Sequence, residues 1–299
     1  MNDFEFELTD RVQKIKSIDA QFDLRNNSFI SFSGGKDSLT VSRLIDEALP
    51  DNLIPRVYLN TGIEYKMMLE FVRELAQRDK RIVIVNSGVN ISRMLEQEGY
   101  PFKSKEHSQK VSYYQKSGMT QTVKNYIGMG TKKDFLCPAK LRYNFTEDFA
   151  LKVSDKCCYR LKKEVAEKWQ KENKKSVTIT GIRQSEKGLR QSVKGCAIFT
   201  DDTCKELRKF HPIFPCPEKW IEWYIKERKI ELCKLYYPPF NFQRTGCKGC
   251  PYSLDLQKQL EIMAVYLPQE KKQCEQIWGK VYAEYRKINY RLDKQLSLF

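Results

Sequence analysis

Lys36 stands in the run Ser31-Phe32-Ser33-Gly34-Gly35-Lys36-Asp37-Ser38. Hydroxyls, paired glycines and one ammonium make a set of donors suited to an anion. Paired glycines let backbone amides approach and surround phosphate oxygens, and the Ser33 and Ser38 hydroxyls add further donors. The preceding Phe29-Ile30-Ser31-Phe32 reads as a strand. Leu39, Val41, Leu44 and Ile45 follow at helical spacing, so the loop enters a helix N-terminus, whose positive potential also favours an anion. The Walker spacing, a lysine after Gly and four intervening residues, is absent, which excludes an ordinary P-loop. The competing reading is a plain glycine turn before a helix.

A second donor set is Gly181-Ile182-Arg183-Gln184-Ser185-Glu186-Lys187-Gly188-Leu189-Arg190, after the strand-like Val177 to Thr180. Arg183 and Arg190 near a strand end suit phosphate or sulfate oxygens, which guanidinium groups bind bidentately. A surface salt-bridge pair is the alternative.

The third set is sulfur. Of ten cysteines, adjacent Cys157-Cys158 and Cys247-Lys248-Gly249-Cys250 are the informative ones. A CxxC turn can point two thiolates at one metal ion or at two corners of a cluster. With only two histidines, His107 and His211, any metal here should sit on sulfur. Iron–sulfur, zinc, and no metal with a redox-active Cys247/Cys250 pair all remain open on the residues. Cys137, Cys196, Cys204, Cys216, Cys233 and Cys274 are read as structural.

The elements that must position these groups can be read from patterning. The first twenty residues read as an amphipathic helix packing on the rest of the chain. Short β-branched runs at residues 29–32, 56–60, 81–86 and 176–181, each followed by a helix-like segment, argue for a parallel sheet covered by helices. Helices are expected from about Tyr159 to Asn173 and from Glu218 to Arg228, the latter with core aromatics. One or two more are expected over Leu254 to Leu292, broken near Pro268. Between Pro101 and Asn144 the pattern lapses into a polar, basic stretch. Gly128 and Gly130 there suggest bends rather than a long helix, and the stretch reads as an insertion or lid. The expected division is an N-terminal helix over 1–24, a nucleotide-binding α/β domain over 25–235 with the insertion at about 101–144, and a CxxC segment with C-terminal helices over 236–299.

The chain has 53 Lys and Arg against 38 Asp and Glu, a net charge of +15. That excess attracts polyanions, or is a solvated basic surface. No apolar run approaches the roughly 20 residues that span a bilayer, and the acidic start MNDFEFELTD is unlike a leader, so a cytoplasmic, membrane-free protein is expected.

The SxGGKDS pattern resembles the pyrophosphate (PP) loop of the adenine-nucleotide alpha-hydrolase superfamily, which implies a Rossmann-like (HUP-type) α/β fold with a parallel sheet flanked by helices. Further segments resemble its PAPS reductase branch. Leu59-Asn60-Thr61-Gly62-Ile63-Glu64-Tyr65 is similar to that branch's DTG-x-E-[FY] segment, with Asn60 in place of Asp. The Gly181–Arg190 run and the His211-Pro212-Ile213 and Trp220 region are similar to two others. The resemblance implies nucleotide contacts from Ser31, Ser33, Gly34, Gly35, Lys36, Asp37, Ser38, Asn60, Thr61, Gly62, Glu64, Gly181, Arg183 and Arg190, with Lys36, Asp37 and Arg183 nearest the chemistry. The CC and CxxC pairs resemble the pattern that holds a 4Fe-4S cluster in cluster-containing members. This makes Cys157, Cys158, Cys247 and Cys250 the implied ligands, with Cys216 or Cys233 as a substitute if the arrangement is that of the DNA-phosphorothioation enzymes.

Two reactions fit the resemblance. A sulfonucleotide reductase uses a cysteine in a C-terminal Glu-Cys-Gly tail; the sequence INYRLDKQLSLF lacks it, and Cys274 lies in the helix-like KKQCEQIW. The favoured expectation is therefore an ATP pyrophosphatase and adenylating sulfurtransferase. It would use Mg2+ with ATP, a DNA, tRNA or small-molecule acceptor, and a cysteine desulfurase or thiol as sulfur donor. A non-catalytic nucleotide- or nucleic-acid-binding module is the third possibility.

Overall fold

The structure, a computed structural model, describes residues 3–131, 136–185, 193–201, 203 and 205–293. They pack as two compact units, one of residues 1–87 and 165–245, the other of 88–164 and 246–299.

The first unit is an α/β layer structure. Its strands are β1 (Ser28–Phe32), β2 (Arg56–Asn60), β3 (Ile82–Asn86), β4 (Val177–Ile179), β5 (Ala197–Phe199) and β6 (Leu207–Phe210), ordered β3-β2-β1-β4-β6-β5. All pairings are parallel except β5 with β6, which is antiparallel. The sheet is the expected parallel one with an antiparallel strand, β5, added at its edge. β5 and β6 are short and lie close in sequence, which permits a return without a crossover helix.

Alternation along β1 assigns its two faces. Ile30 joins a core with Ile15 and Ile18 of α1 (Asp3–Phe22), Val41, Leu44 and Ile45 of α3 (Lys36–Ala48), and Trp220, Ile221 and Tyr224 of α9 (Glu218–Glu227). Its neighbour Phe29 points the other way and meets Trp169 of α8 (Glu164–Glu172), ring centroids 5.2 Å apart. The helix over the first twenty residues is thus integral to the core. One four-residue helix, α2 (Leu24–Asn27), has no counterpart in the sequence reading; its Asp23 cap accepts from the Asn26 amide.

The order of strands decides where a ligand can sit. The chain runs from β1 through α3 to β2, then through α4 (Lys66–Arg78) to β3, and returns through α8 to β4 on the opposite side of β1. The connections therefore diverge between β1 and β4. In open α/β sheets the ligand crevice lies beyond the carboxyl ends of the strands at such a switch. Ser33–Ser38 comes after β1 and Gly181–Arg183 after β4, so topology brings both donor sets to that crevice.

The second unit is helical: α5 (Ile91–Glu98), α6 (Lys105–Ser117), α7 (Gln121–Ile127), a 3-10 turn Ala139–Phe145, a π turn Tyr159–Lys163, then α10 (Leu256–Tyr266) and α11 (Pro268–Lys287). Two helices occupy the stretch expected to be irregular. Their starts are marked by side-chain caps, Ser104 accepting from the His107 amide and Thr120 from the Val123 amide. α6 is polar enough to hide its period: its buried set is His107, Ser108, Val111 and Ser112. The break before Pro268 lies where expected, with the proline in the first turn of α11. Among the described residues no helix is long and apolar enough to cross a membrane.

His107 organises this unit. Its Nδ1 lies 3.0 Å from Tyr126 Oη and its Nε2 3.1 Å from Asn144 Oδ1. Burial, reinforced by the Lys103 charge, holds its pKa down near 3. The unfolded chain takes up a proton at His107 below about pH 6.5, whereas the folded chain keeps the ring neutral. Stability is therefore full above pH 6.5 and declines as pH falls toward 3, by about 1.4 kcal/mol per pH unit at most. The urea midpoint tracked by tryptophan fluorescence should fall from pH 7 to pH 5, and His107→Gln should flatten that slope. An unchanged slope in the variant contradicts this assignment.

Candidate functional site

Gly34 is at φ +71°, and a Cβ there would lie 2.8 Å from both Met68 Sδ and Val72 Cγ2 of α4. Position 34 therefore needs glycine for its backbone angle and for its close contact with α4. The turn is tied by serines: the Ser33 amide donates to Ser38 Oγ at 3.2 Å, the two hydroxyls are 3.1 Å apart, and Ser38 Oγ donates to Gly35 O at 2.9 Å. Gly35 is the N-cap of α3 and supplies no side-chain cap. The first-turn amides of a helix have no intrahelical acceptor, so the start of α3 can offer donors to an incoming anion.

Charged groups from three elements meet at this helix start. Arg183 Nε is 3.1 Å from Asp37 Oδ1, and Arg183 Nη2 pairs with Glu218 Oε2. Lys36 Nζ is 3.9 Å from Glu218 Oε1. Arg183 is buried, so its guanidinium is fixed in place. A Cβ on Gly181 would fall 2.9 Å from Asp37 Cβ and 3.1 Å from its carbonyl. Glycine there lets β4 run close against α3, which is what brings Arg183 to Asp37.

The turn after β2 is built differently. The Thr61 amide and hydroxyl donate to Glu64 Oε2 and Oε1 at 2.9 and 2.7 Å, and the Gly62 amide donates to Asn60 Oδ1 at 3.1 Å. Asn60 Nδ2 also reaches Asn86 Oδ1 at 2.8 Å. Thr61 and Glu64 thus shape their own turn, which presents Gly62 at φ +78° with open space around it. Ser31 is an exposed strand residue. Arg190 and Cys204 lie outside the described residues.

Sequence reasoning missed two hydroxyls beside the loop. Tyr236, in the 3-10 turn Lys234–Tyr236, stands with Oη 2.9 Å from Thr245 Oγ1, and Lys36 Nζ lies 5.4 Å from its ring centroid. Glu218 was likewise seen only as part of a helix. None of the three is near the loop in sequence, and no local pattern marks them.

The four expected thiols all belong to the second unit. Cys157 is buried, and its thiol is pushed up by burial first, then by Cys158, Cys247 and Cys250. Cys250 is pushed up to about 12 by burial, Cys247 and Cys158. Lys162, in the π turn after the CC pair, acts in the opposite sense on both. Among the described residues no three His, Cys, Asp or Glu side chains close on a single metal ion. Cys216 belongs instead to the first unit's core, its Sγ directed at Glu7 Oε1 at 3.8 Å, and Cys233 is buried in that unit too.

The CxxC turn is gripped from α11. Trp278 Nε1 donates to Lys248 O at 3.2 Å, Tyr282 Oη to Gly249 O, and Tyr285 Oη to Pro251 O at 2.9 Å. These three side chains recur at i, i+4 and i+7, one face of the helix. Lys248 Nζ reaches Glu270 and Gln273, at 3.7 and 2.7 Å. Gly249, at φ +60°, lies so close to α11 that a Cβ would be 2.7 Å from Cys274 Sγ. The spacing Trp278, Tyr282, Tyr285 was the signal available in the sequence for this clamp.

A model of the phosphoadenosine phosphosulfate reductase domain matches residues 27–253, or 227 of 299. The chain belongs to that family. Within this PAPS reductase family member the match contains the loop, the Gly181–Arg183 segment and all four thiols. An uncharacterized protein of Methanocaldococcus jannaschii is 40% identical over 73 residues, which are 24% of this chain and 17% of that protein. The matched stretch thus spans about a sixth of that relative's length. Solved structures similar to the chain include the phosphoadenylyl-sulfate reductase of Candida auris in a phosphate complex, at TM-score 0.43 and 16% identity over 74% of this chain and 81% of that one. The FMN adenylyltransferase of Candida glabrata with FMN and an ATP analogue gives TM-score 0.46 and 14% identity over 83% and 66%. The U34-tRNA thiolase of Methanococcus maripaludis with its [4Fe-4S] cluster gives 0.36 and 15% over 96% and 80%.

Proposed function

We propose that this PAPS reductase family protein is an ATP pyrophosphatase that adenylates an acceptor and exchanges the activated oxygen for sulfur, with nucleic acid as the acceptor class. The observation that carries this reading is the assembly of the Ser33–Ser38 loop with Lys36, Asp37 and Arg183 at the β1/β4 switch. In the proposed reaction an acceptor oxygen attacks the α-phosphorus of ATP, the bond to the β-phosphate oxygen breaks, and pyrophosphate leaves with the electron pair. Lys36 and the amides at the start of α3 stabilise that leaving charge. Hydrosulfide then attacks the adenylated carbon: the C–S bond forms, the C–O bond to the phosphate breaks, and AMP leaves with the electron pair. Asp37 and Glu218 already pair with Arg183, so a Mg2+ ion accompanying ATP would be carried chiefly by the nucleotide's own phosphates.

Charge distribution supports a polyanionic acceptor. Segments 88–164 and 246–299 contain 24 Lys and Arg against 14 Asp and Glu, ten of the chain's fifteen excess positive charges. Binding to nucleic acid through such charges should weaken steeply with salt.

The thiol set fits a 4Fe-4S cluster. The charges of the other cysteines in the set act on the Cys157 and Cys250 thiols, and a cluster's ligands bind different irons and so stand farther apart than the ligands of a single metal. Cys157, Cys158, Cys247 and Cys250 would hold it. Held by these four residues, a cluster would supply charge and rigidity to the unit. The α11 clamp fixes Cys247 and Cys250, and the helical turn at residues 157–158 fixes the other pair.

Sulfonucleotide reduction is the second reading, favoured by the family match itself. Against it, Cys274 is fully buried with its thiol pushed up to about 12 by burial, unlike an exposed attacking thiolate. The deciding experiment supplies ATP, sulfide and tRNA or DNA to anaerobic protein, and digests the nucleic acid for mass spectrometry. Sulfur-containing nucleosides support the first reading. Sulfite released from PAPS with a thiol, and no sulfur in nucleic acid, supports the second.

A further inference from the structure

We propose that Tyr236 is a phosphate-positioning residue whose hydroxyl, with that of Thr245, forms one wall of the Ser33–Ser38 cradle and donates to a phosphate oxygen of the nucleotide. This rests on the reading of that loop as the nucleotide site.

Three features of the structure point to it. A Cβ on Gly35 would lie 3.0 Å from Tyr236 Oη, 3.3 Å from Ser33 Oγ and 3.8 Å from Thr245 Oγ1, so three hydroxyls border this one backbone position. The Lys36 ammonium lies against the ring face, 5.4 Å from its centroid, which holds the lysine beside the loop. Finally, the ring is carried on a braced turn: the Phe242 amide donates to Leu235 O at 2.9 Å, Leu235 is fully buried, and Phe242 packs on Tyr65 with centroids 5.2 Å apart.

Proton counting then assigns the hydroxyl's role. A phenol oxygen has one proton and two lone pairs. When the Thr245 hydroxyl, 2.9 Å away, donates to one of those lone pairs, the phenol proton is left for an anion at the loop. A Cβ at Gly35 would crowd the Tyr236 and Ser33 hydroxyls, so glycine keeps both oxygens clear at the start of α3. The segment from residue 234 to 245 is therefore part of the nucleotide site, although no phosphate-loop pattern includes it.

The test is calorimetric titration of Tyr236→Phe with ATP, inorganic pyrophosphate and adenosine. Losing one hydrogen bond to a charged group should weaken ATP and pyrophosphate by about tenfold and leave adenosine unchanged, a pattern that a general packing defect does not give. Thr245→Val keeps the ring and should weaken the same two ligands, which covers the case in which the phenyl variant melts early. ATP affinity that is unchanged or higher in both variants overturns the proposal and makes the phenol a plug. Lys36→Ala run alongside separates the two levels. If it loses ATP while the Tyr236 and Thr245 variants do not, only this inference falls. If it too binds ATP normally, the reading of the loop falls with it.

Discussion

Lys36→Ala should slow pyrophosphate release from ATP by about 10²–10³-fold, the scale seen when one preorganised donor to developing charge is removed. The lysine is the first residue of α3, sits against Tyr236, and is only loosely paired with Glu218 at 3.9 Å. Its ammonium can therefore exchange one carboxylate for a leaving phosphate without unfolding anything. Lys36→Arg should recover part of the rate, since charge is kept but the compact ammonium is not. The melting temperature of both variants should stay near the parent's, because the side chain is partly exposed and its ion pair weak. Pyrophosphate release that is unchanged in Lys36→Ala would remove the loop from the chemistry.

The second large effect is expected at Cys250. Anaerobically purified parent protein should be brown and contain about four iron and four sulfide per chain. Cys250→Ser should lose most of that iron and lower the unfolding temperature of the unit, since metal binding free energy is also folding free energy. Cys196→Ser, in the first unit, serves as the control and should retain the parent's iron. Zinc in place of iron in the parent, or full iron content in Cys250→Ser, contradicts the assignment of these ligands.

How far the sequence could be read depended on whether a feature's parts are neighbours in the chain. The Ser33–Ser38 loop was legible as a turn between strand and helix because its residues are consecutive, and because the strand before it and the helix after it carry different periods. Gly34 and Gly181 were legible as glycines, but not for their reason: only the structure shows Met68 and Val72 against one and Asp37 against the other. Glu218, Tyr236 and Thr245 were not legible, since a carboxylate in a helix and a hydroxyl in a loop have no local signature of what they face. The pairing of Thr61 with Glu64 was not legible for a related reason. Their hydrogen bonds to each other, i to i+3, are a turn device that a motif match does not distinguish from ligand contacts.

The helical unit was harder to read than the sheet. α6 buries His107, Ser108 and Ser112 together with Val111, so hydropathy alone shows no stripe, yet the caps at Ser104 and Thr120 were present in the sequence as helix starts. The antiparallel β5 has three residues, too few to carry a period. The thiol pairs were legible as pairs, whereas the clamp that holds one of them comes from tyrosines and a tryptophan about thirty residues away on α11.

The most direct measurement is phosphorus NMR of the products formed when the anaerobic protein is given ATP, Mg2+ and the nucleic-acid acceptor. Cleavage between the α and β phosphates predicts AMP and pyrophosphate in equal amounts, both lost in Lys36→Ala. ADP and phosphate as the products, or no turnover of ATP alongside sulfite release from PAPS, would contradict the account.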